Sequence, residues 1–198
     1  MSTVHFGPEI LDRMVEAVER VRDRLRRAAA ALRSGGVPYA VCGGNAVAAW
    51  VASVDPAAVR NTQDVDIVIR RSDLQAAKLA LAKAGFVYRH AADIDRFLDG
   101  PDAKARDSVY VVFAGERIRP EYEFPAADVD SSRIAPDGTY AHLEFEPLVR
   151  MKLTSFRDND RTHLRDLIEV GLVDQSWTAR LPQSLAARLQ ALLDTPGG

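Results

Sequence analysis

Arg60-Asn61-Thr62-Gln63-Asp64-Val65-Asp66-Ile67-Val68-Ile69 is the stretch on which the reading of this chain turns. Its β-branched second half predicts a strand over 64–69. Side chains alternate across a strand, so Asp64 and Asp66 share one face. Val65, Ile67 and Ile69 then point the other way, into a core. Two neighbouring carboxylates repel each other and are costly to desolvate. A divalent cation between them relieves both costs, and hard oxygen ligands suit Mg²⁺ or Mn²⁺. Alone, the pair also reads as an exposed strand end with two unrelated acids.

Immediately upstream, Val37 to Cys42 predicts a short buried strand and Asn45 to Val54 an alanine-rich helix, with Gly43-Gly44 as the turn between them. Such a junction offers free backbone N–H groups and the positive end of a helix, and glycines let a phosphate approach closely. By itself it is also an ordinary tight turn. No G-x-G-x-x-G or Walker sequence is present, so neither a Rossmann nor a P-loop fold is supported.

Further outward, apolar residues recur at three- and four-residue spacing from Pro8 to Arg33, which predicts a long amphipathic helix stopped at Ser34-Gly35-Gly36. Arg22, Arg24, Arg26 and Arg27 near its end read as a solvated face or an RNA-binding patch. Ser72 is the expected N-cap of a helix over 73–84 closed by Gly85. Strands are expected at Phe86–Arg89, Ser108–Phe113 and, at an edge because of Pro120, Arg119–Phe124. A small hairpin joins Arg133-Ile134 to Tyr140–Leu143 through Pro136-Asp137-Gly138. Helical periodicity returns from Glu146, in three segments ending near Phe156, Val170 and Leu193. The expected class is α+β with a mixed sheet. Residues 1–145 form the core with its N-terminal helix, and 146–198 a helical region packed on it.

With 198 residues, 47% of them hydrophobic, the chain can bury one sizeable core. A net charge of −2 gives no overall positive field for nucleic acid. Cys42 is the sole cysteine, which excludes a disulfide framework and reads as a buried thiol. No secretory signal and no membrane-length apolar run is seen, so a cytoplasmic location is expected. His5, His90, His142 and His163 lack paired metal-ligand spacing and read as surface or capping residues. Trp50 and Trp177 read as packing residues.

Read together, Gly43-Gly44-Asn45-Ala46, the short helix carrying Trp50, and Arg60-x-Thr62-x-Asp64-x-Asp66 resemble the polymerase-β-like nucleotidyltransferase superfamily over Tyr39 to Ile69. Downstream, Met151-Lys152-Leu153, then Arg157, Asp160, Arg161 and Leu164-Arg165-Asp166-Leu167, resembles the AbiEii-like branch of bacterial toxin-related proteins, a type IV toxin–antitoxin group. The resemblance implies a nucleotidyltransferase-fold core in which Gly43 and Gly44 grip a nucleoside triphosphate and Asp64 and Asp66 bind metal. It implies that Lys152 contacts the nucleotide phosphates and Asp166 completes the site, with Arg60 and Thr62 adding phosphate or ribose contacts. Two metal ions roughly 3.5–4 Å apart would stabilise the attacking and leaving oxygens. Without the resemblance, the downstream block reads as two amphipathic helices laced by surface ion pairs.

One departure stands out. Many members carry a third carboxylate on a later strand, where this chain reads Val109-Tyr110-Val111-Val112. Asp107, Glu121, Glu123 and Asp166 are the candidates to replace it. The expected activity is Mg²⁺-dependent transfer of a nucleoside monophosphate to a hydroxyl of an RNA, a protein or a small molecule. The competing expectation is a catalytically weakened nucleotide-binding or partner-binding module with a cognate partner protein. A glycosyltransferase using D-x-D fits the short chain and the Gly-Gly placement poorly. Oligomeric state stays open.

Overall fold

A computed structural model describes residues 8–195, with a central seven-stranded mixed sheet between two layers of helices. In chain order the elements are α1 (Pro8–Ser34), β1 (Ala40–Cys42), α2 (Gly43–Ala52), β2 (Val65–Ile69), α3 (Leu74–Lys83), β3 (Val87–Ala91), β4 (Ile94–Leu98), β5 (Ser108–Phe113), β6 (Ser132–Ile134), β7 (Ala141–Leu143), α4 (Phe145–Ser155), α5 (Asp158–Glu169) and α6 (Gln183–Leu193). The strand order is β3-β4-β5-β2-β1-β7-β6. β2 runs antiparallel to β1 and parallel to β5, which brings residue 66 between residue 42 and residue 110.

The alternation of β2 divides the core. Val65, Ile67 and Ile69 pack with Val21, Leu25, Ala28 and Leu32 of α1 and Ala77 and Leu81 of α3. Val68 faces the opposite side, where Ala40, Cys42 and Leu143 meet α2 and the three C-terminal helices. The helices after residue 145 therefore share one apolar cluster with the sheet. Among the described residues only the second half of α1 is covered; Leu11, Met14 and Val15 are exposed. Arg24, expected on a solvated face, is 3% exposed. It bonds Asp99 and Asp107, while Arg27 bonds Asp23 and Asp99.

Several expectations are corrected. α2 begins at Gly43, so both glycines belong to its first turn rather than to a turn before it. Ser72 lies in a single 3₁₀ turn, and no side chain caps α3. Arg119–Phe124 is not a strand: Tyr122 N–H donates to Arg119 C=O at 3.0 Å. Backbone bonds between Ala126 and both Gly115 and Glu116 close that loop at its base.

β4 has no counterpart in the sequence reading, for two physical reasons. Its alternation is inverted, with Ile94 exposed and Asp95 buried, because Asp95 accepts from the Tyr88 hydroxyl inside. Its hairpin turn, Ala92-Asp93, has both residues at positive φ (51° and 58°) without the glycine that usually marks such a turn. Among the described residues no helix is long and apolar enough to cross a membrane.

Candidate active site

Asp66 leaves β2 on the face covered by α2, α4 and α5, beside the first residue of α2. Gly43 has φ +63°, and a Cβ added there would stand 2.0 Å from Asp66 Oδ2 and 3.0 Å from Asp66 Cβ. A Cβ on Gly44 would meet Thr62 Oγ1 at 2.8 Å and His163 Cε1 at 3.3 Å. The glycine pair thus admits an acidic side chain and Thr62 hard against the start of the helix. That is a different close approach from the phosphate that the sequence alone suggests. Asn45, the next residue, donates from Nδ2 to Asp64 C=O at 2.6 Å and ties the D-x-D segment to α2. Cys42 occupies the N-cap position and its side chain makes no capping bond, so α2 opens without a side-chain acceptor on its first N–H groups.

The two carboxylates differ. Asp64 is exposed just ahead of β2, whereas Asp66 is half-buried. Burial raises the Asp66 carboxyl to about 6; the charge of Asp64 pushes the same way, while Lys152 and Arg157 partly offset it. Lys152, 7% exposed on α4, donates to Asp160 Oδ1 at 2.9 Å. Asp160 is 1% exposed and also accepts from Ser155 Oγ at 2.7 Å and Arg157 Nε at 2.9 Å. Burial would raise the Asp160 carboxyl, but Lys152 and the bonds from Arg157, Lys152 and Ser155 outweigh it and hold it at about 2. A sharp turn between α4 and α5 makes the pairing close, with Phe156 in the left-handed region at φ +47°. Arg188 NH1 donates to the C=O groups of Leu153 and Thr154, both at 2.7 Å, and satisfies the end of α4.

Asp166, one turn and a half further along α5, is turned to Arg60. The guanidinium grips it through Nε at 3.1 Å and NH2 at 3.0 Å, with Asp166 buried and Arg60 exposed. Between these two ion pairs lies His163, whose Nδ1 is buried with no hydrogen-bond partner among the described residues. Burial, and then the Lys152 charge, lowers the His163 imidazole to about 4, so it is neutral at physiological pH. The reading of the histidines as surface or capping residues is corrected for His163 and for His142, which is buried against the Trp50 ring. His5 lies outside the described residues.

The structure therefore gathers Gly43, Gly44, Thr62, Asp64, Asp66 and Lys152 around the start of α2, and links Arg60 to Asp166 beside them. Asp160, Asn45 and His163 are the contributors with no assigned role in the sequence reading. The Asp160 signal was its place three residues into α5, where its carboxylate also accepts from Arg157 N–H at 3.2 Å. The candidate third carboxylates do not converge. Tyr110 is the register partner of Asp66, its hydroxyl donating to Ala105 C=O at 3.1 Å. Asp107 is bonded to Arg24, and Glu121 and Glu123 are exposed in the irregular loop. A cleft of about 940 Å³ between α1 and residues 99–107 reaches Gln63 but includes neither metal-ligand candidate.

No protein-family model and no curated protein matches the chain. Solved structures do. The solution structure of the antibiotic-resistance factor ANT(2'')-Ia aligns at a TM-score of 0.51 and 13% identity, covering 92% of each chain. A crystal structure of an antigenic nucleotidyltransferase-like protein from Paracoccidioides brasiliensis aligns at a TM-score of 0.54 and 18% identity, covering 89% of this chain and 88% of the other. At these identities the likeness is one of architecture, and on it the chain shares the mixed α/β fold of the antibiotic-resistance factor and of the nucleotidyltransferase-like protein.

Proposed function

We propose that this chain is a divalent-cation-dependent nucleotidyltransferase that moves a nucleoside monophosphate from a nucleoside triphosphate to an acceptor hydroxyl. The observation that carries the reading is Asp66 seated against Gly43 at the opening of α2, with Lys152 behind it. A half-buried carboxyl raised by burial and by its neighbour Asp64 is an arrangement that a cation relieves, so the donor set fits one hard ion. Mg²⁺ commonly takes one or two carboxylates and completes its shell with substrate phosphates and water. Among the described residues no group of three or more His, Cys, Asp or Glu side chains forms a closed cage. Asp64 and Asp66 would hold the ion, which supplies Lewis-acid stabilisation of the phosphoryl oxygens when bound.

The remaining roles belong to the chain's own groups. The N–H groups of Gly43 and Gly44 and the positive end of α2 orient the triphosphate. Lys152 offsets the negative charge at Asp66 and, through its ammonium, that of the phosphates. Arg60, exposed but braced by Asp166, reaches a phosphate or ribose oxygen, and Thr62 lines the same edge. The acceptor oxygen attacks the α-phosphorus, a new O–P bond forms, and the bond to the β-phosphate oxygen breaks to release pyrophosphate. The hydroxyl proton passes to a carboxylate of the Asp64–Asp66 pair. The motif likeness to the AbiEii-like branch supports Lys152 as the phosphate contact; for Asp166 the Arg60 bond supports a positioning role.

The test is incubation of the protein with α-labelled nucleoside triphosphates, Mg²⁺ and cell extract. Labelled product is expected for wild type and lost in Asp66→Asn. Nucleotide binding without any product would instead favour a binding module, the reading that Tyr110 in the third-carboxylate position supports.

A further inference from the structure

His163 stands where α5 meets the opening of α2. The position of an absent Gly44 Cβ has His163 Cε1 at 3.3 Å and Thr62 Oγ1 at 2.8 Å. Cε1 is the carbon between the two ring nitrogens, so the edge turned to Gly44 is the polar edge of the imidazole. On α5 the ring falls midway between Asp160 and Asp166, three residues from each. Both carboxylates are already held, Asp160 by Lys152 and Arg157, and Asp166 by Arg60. Three cations against two carboxylates leave this side of the ring positive.

The imidazole itself is unspent. Nδ1 is buried without a hydrogen-bond partner among the described residues, a cost that an acceptor would remove. Burial first, and then the charges of Lys152 and Arg60, keep the ring neutral against the opposing pull of Asp160 and Asp166. A further cation between Lys152 and Arg60 is unfavourable unless an anion joins them. A chain of phosphates reverses that balance: its oxygens supply both an acceptor for the ring and the negative charge that favours imidazolium.

We infer that His163 is a contact for the outer phosphates of the nucleoside triphosphate, donating from its polar edge beside Gly44, and that it makes the site prefer a triphosphate to a monophosphate. The inference rests on the transferase reading above and deepens it by adding a residue that reads the length of the phosphate chain. The reacting α-phosphate belongs beside Asp64 and Asp66, at Gly43. The β- and γ-phosphates then lie one residue further along α2, at Gly44, where the imidazole edge is turned.

Calorimetry of the Mg²⁺-loaded protein tests this without turnover, using a nucleoside triphosphate with a methylene α–β bridge and, separately, the monophosphate. His163→Asn and His163→Gln are expected to bind the triphosphate analogue about tenfold more weakly, with monophosphate affinity unchanged. Proton uptake supplies a readout that a purely structural role would not move. An opposite charge at ion-pair distance moves a titrating group by about two pH units, which carries His163 from about 4 to about 6. At pH 6, in two buffers of different ionisation enthalpy, wild type should therefore take up about half a proton more than either variant on binding the analogue. Protons exchanged by Asp66 and by the phosphates are common to all three proteins and cancel in that difference. Ring-nitrogen NMR of the four histidines in wild type needs no variant, and one of them should shift its titration upward when the analogue is added. Unchanged triphosphate affinity and proton count in folded variants overturn this inference and leave the transferase reading standing. Equal weakening of triphosphate and monophosphate also overturns it, since the ring then only shapes α2, as does a wild type in which no histidine titration moves. A wild type that binds no triphosphate overturns both readings together.

Discussion

Replacing Gly43 by alanine tests the central contact of the site, and a second glycine supplies the control. Gly36 has nearly the same backbone as Gly43, φ +65° against +63°, but nothing lies within 4 Å of a Cβ added there. Gly36→Ala therefore isolates the cost of a left-handed alanine, about 1 kcal/mol. Gly43→Ala carries that cost and a collision with the Asp66 side chain, from Oδ2 at 2.0 Å through Cγ at 2.8 Å to Cβ at 3.0 Å. A carboxylate oxygen could swing aside, but Asp66 Cβ is fixed to β2, so strand or helix must shift. Overpacking of this kind costs about 2 kcal/mol. Urea denaturation should thus place Gly43→Ala about 3 kcal/mol below wild type and Gly36→Ala about 1 kcal/mol below it. Mg²⁺-dependent triphosphate binding should fall only in the former. Equal stabilities for the two variants would refute the idea that Asp66 rests on Gly43.

The remaining predictions concern the charges around that contact and one distant turn. Burial lowers His163 from 6.5 to about 4, so between those pH values the unfolded chain takes up a proton that the fold refuses. Stability is complete above pH 6.5 and declines by about 2 kcal/mol, after allowing for partial exposure, as the pH falls towards 4. Asp66, raised to about 6, acts in the opposite sense over part of the range. The test is therefore the difference between wild-type and His163→Asn curves, and a flat difference would count against the buried neutral imidazole. Asp160→Asn leaves the Lys152 ammonium without its 2.9 Å partner and should cost about 3 kcal/mol in urea. The double variant Lys152→Met, Asp160→Leu should be more stable than Asp160→Asn; if it is less stable, the pair is not governed by the cost of burying charge. Replacing Ala92-Asp93 by Asn-Gly fits both positive φ values and should raise the melting temperature, a gain of about 1 kcal/mol. No gain would mean that the turn is not under strain.

The D-x-D strand and the covered half of α1 were legible because each rests on local periodicity. A strand of alternating aspartate and β-branched residues fixes which side chains share a face, whatever surrounds it. β4 was illegible for the converse reason: Asp95 goes inside only because the Tyr88 hydroxyl waits on the paired strand, which no local pattern encodes. The false strand at Arg119–Phe124 looked right by composition, yet no neighbour offers it a ladder, and turn bonds win.

For the candidate site, the sequence by itself determined the residue types and their order: two glycines at a strand-to-helix junction, two carboxylates at strand spacing, and a lysine on a later helix. Only the tertiary structure decided their relations. It set Asp66 on Gly43 and turned Lys152 to Asp160 and Asp166 to Arg60. Spacing along a chain fixes direction within one element, whereas the partner of a charge depends on which elements pack together. Here that choice belongs to the sheet order and to the tight turn at Phe156, where burial makes an unpaired charge too costly to leave.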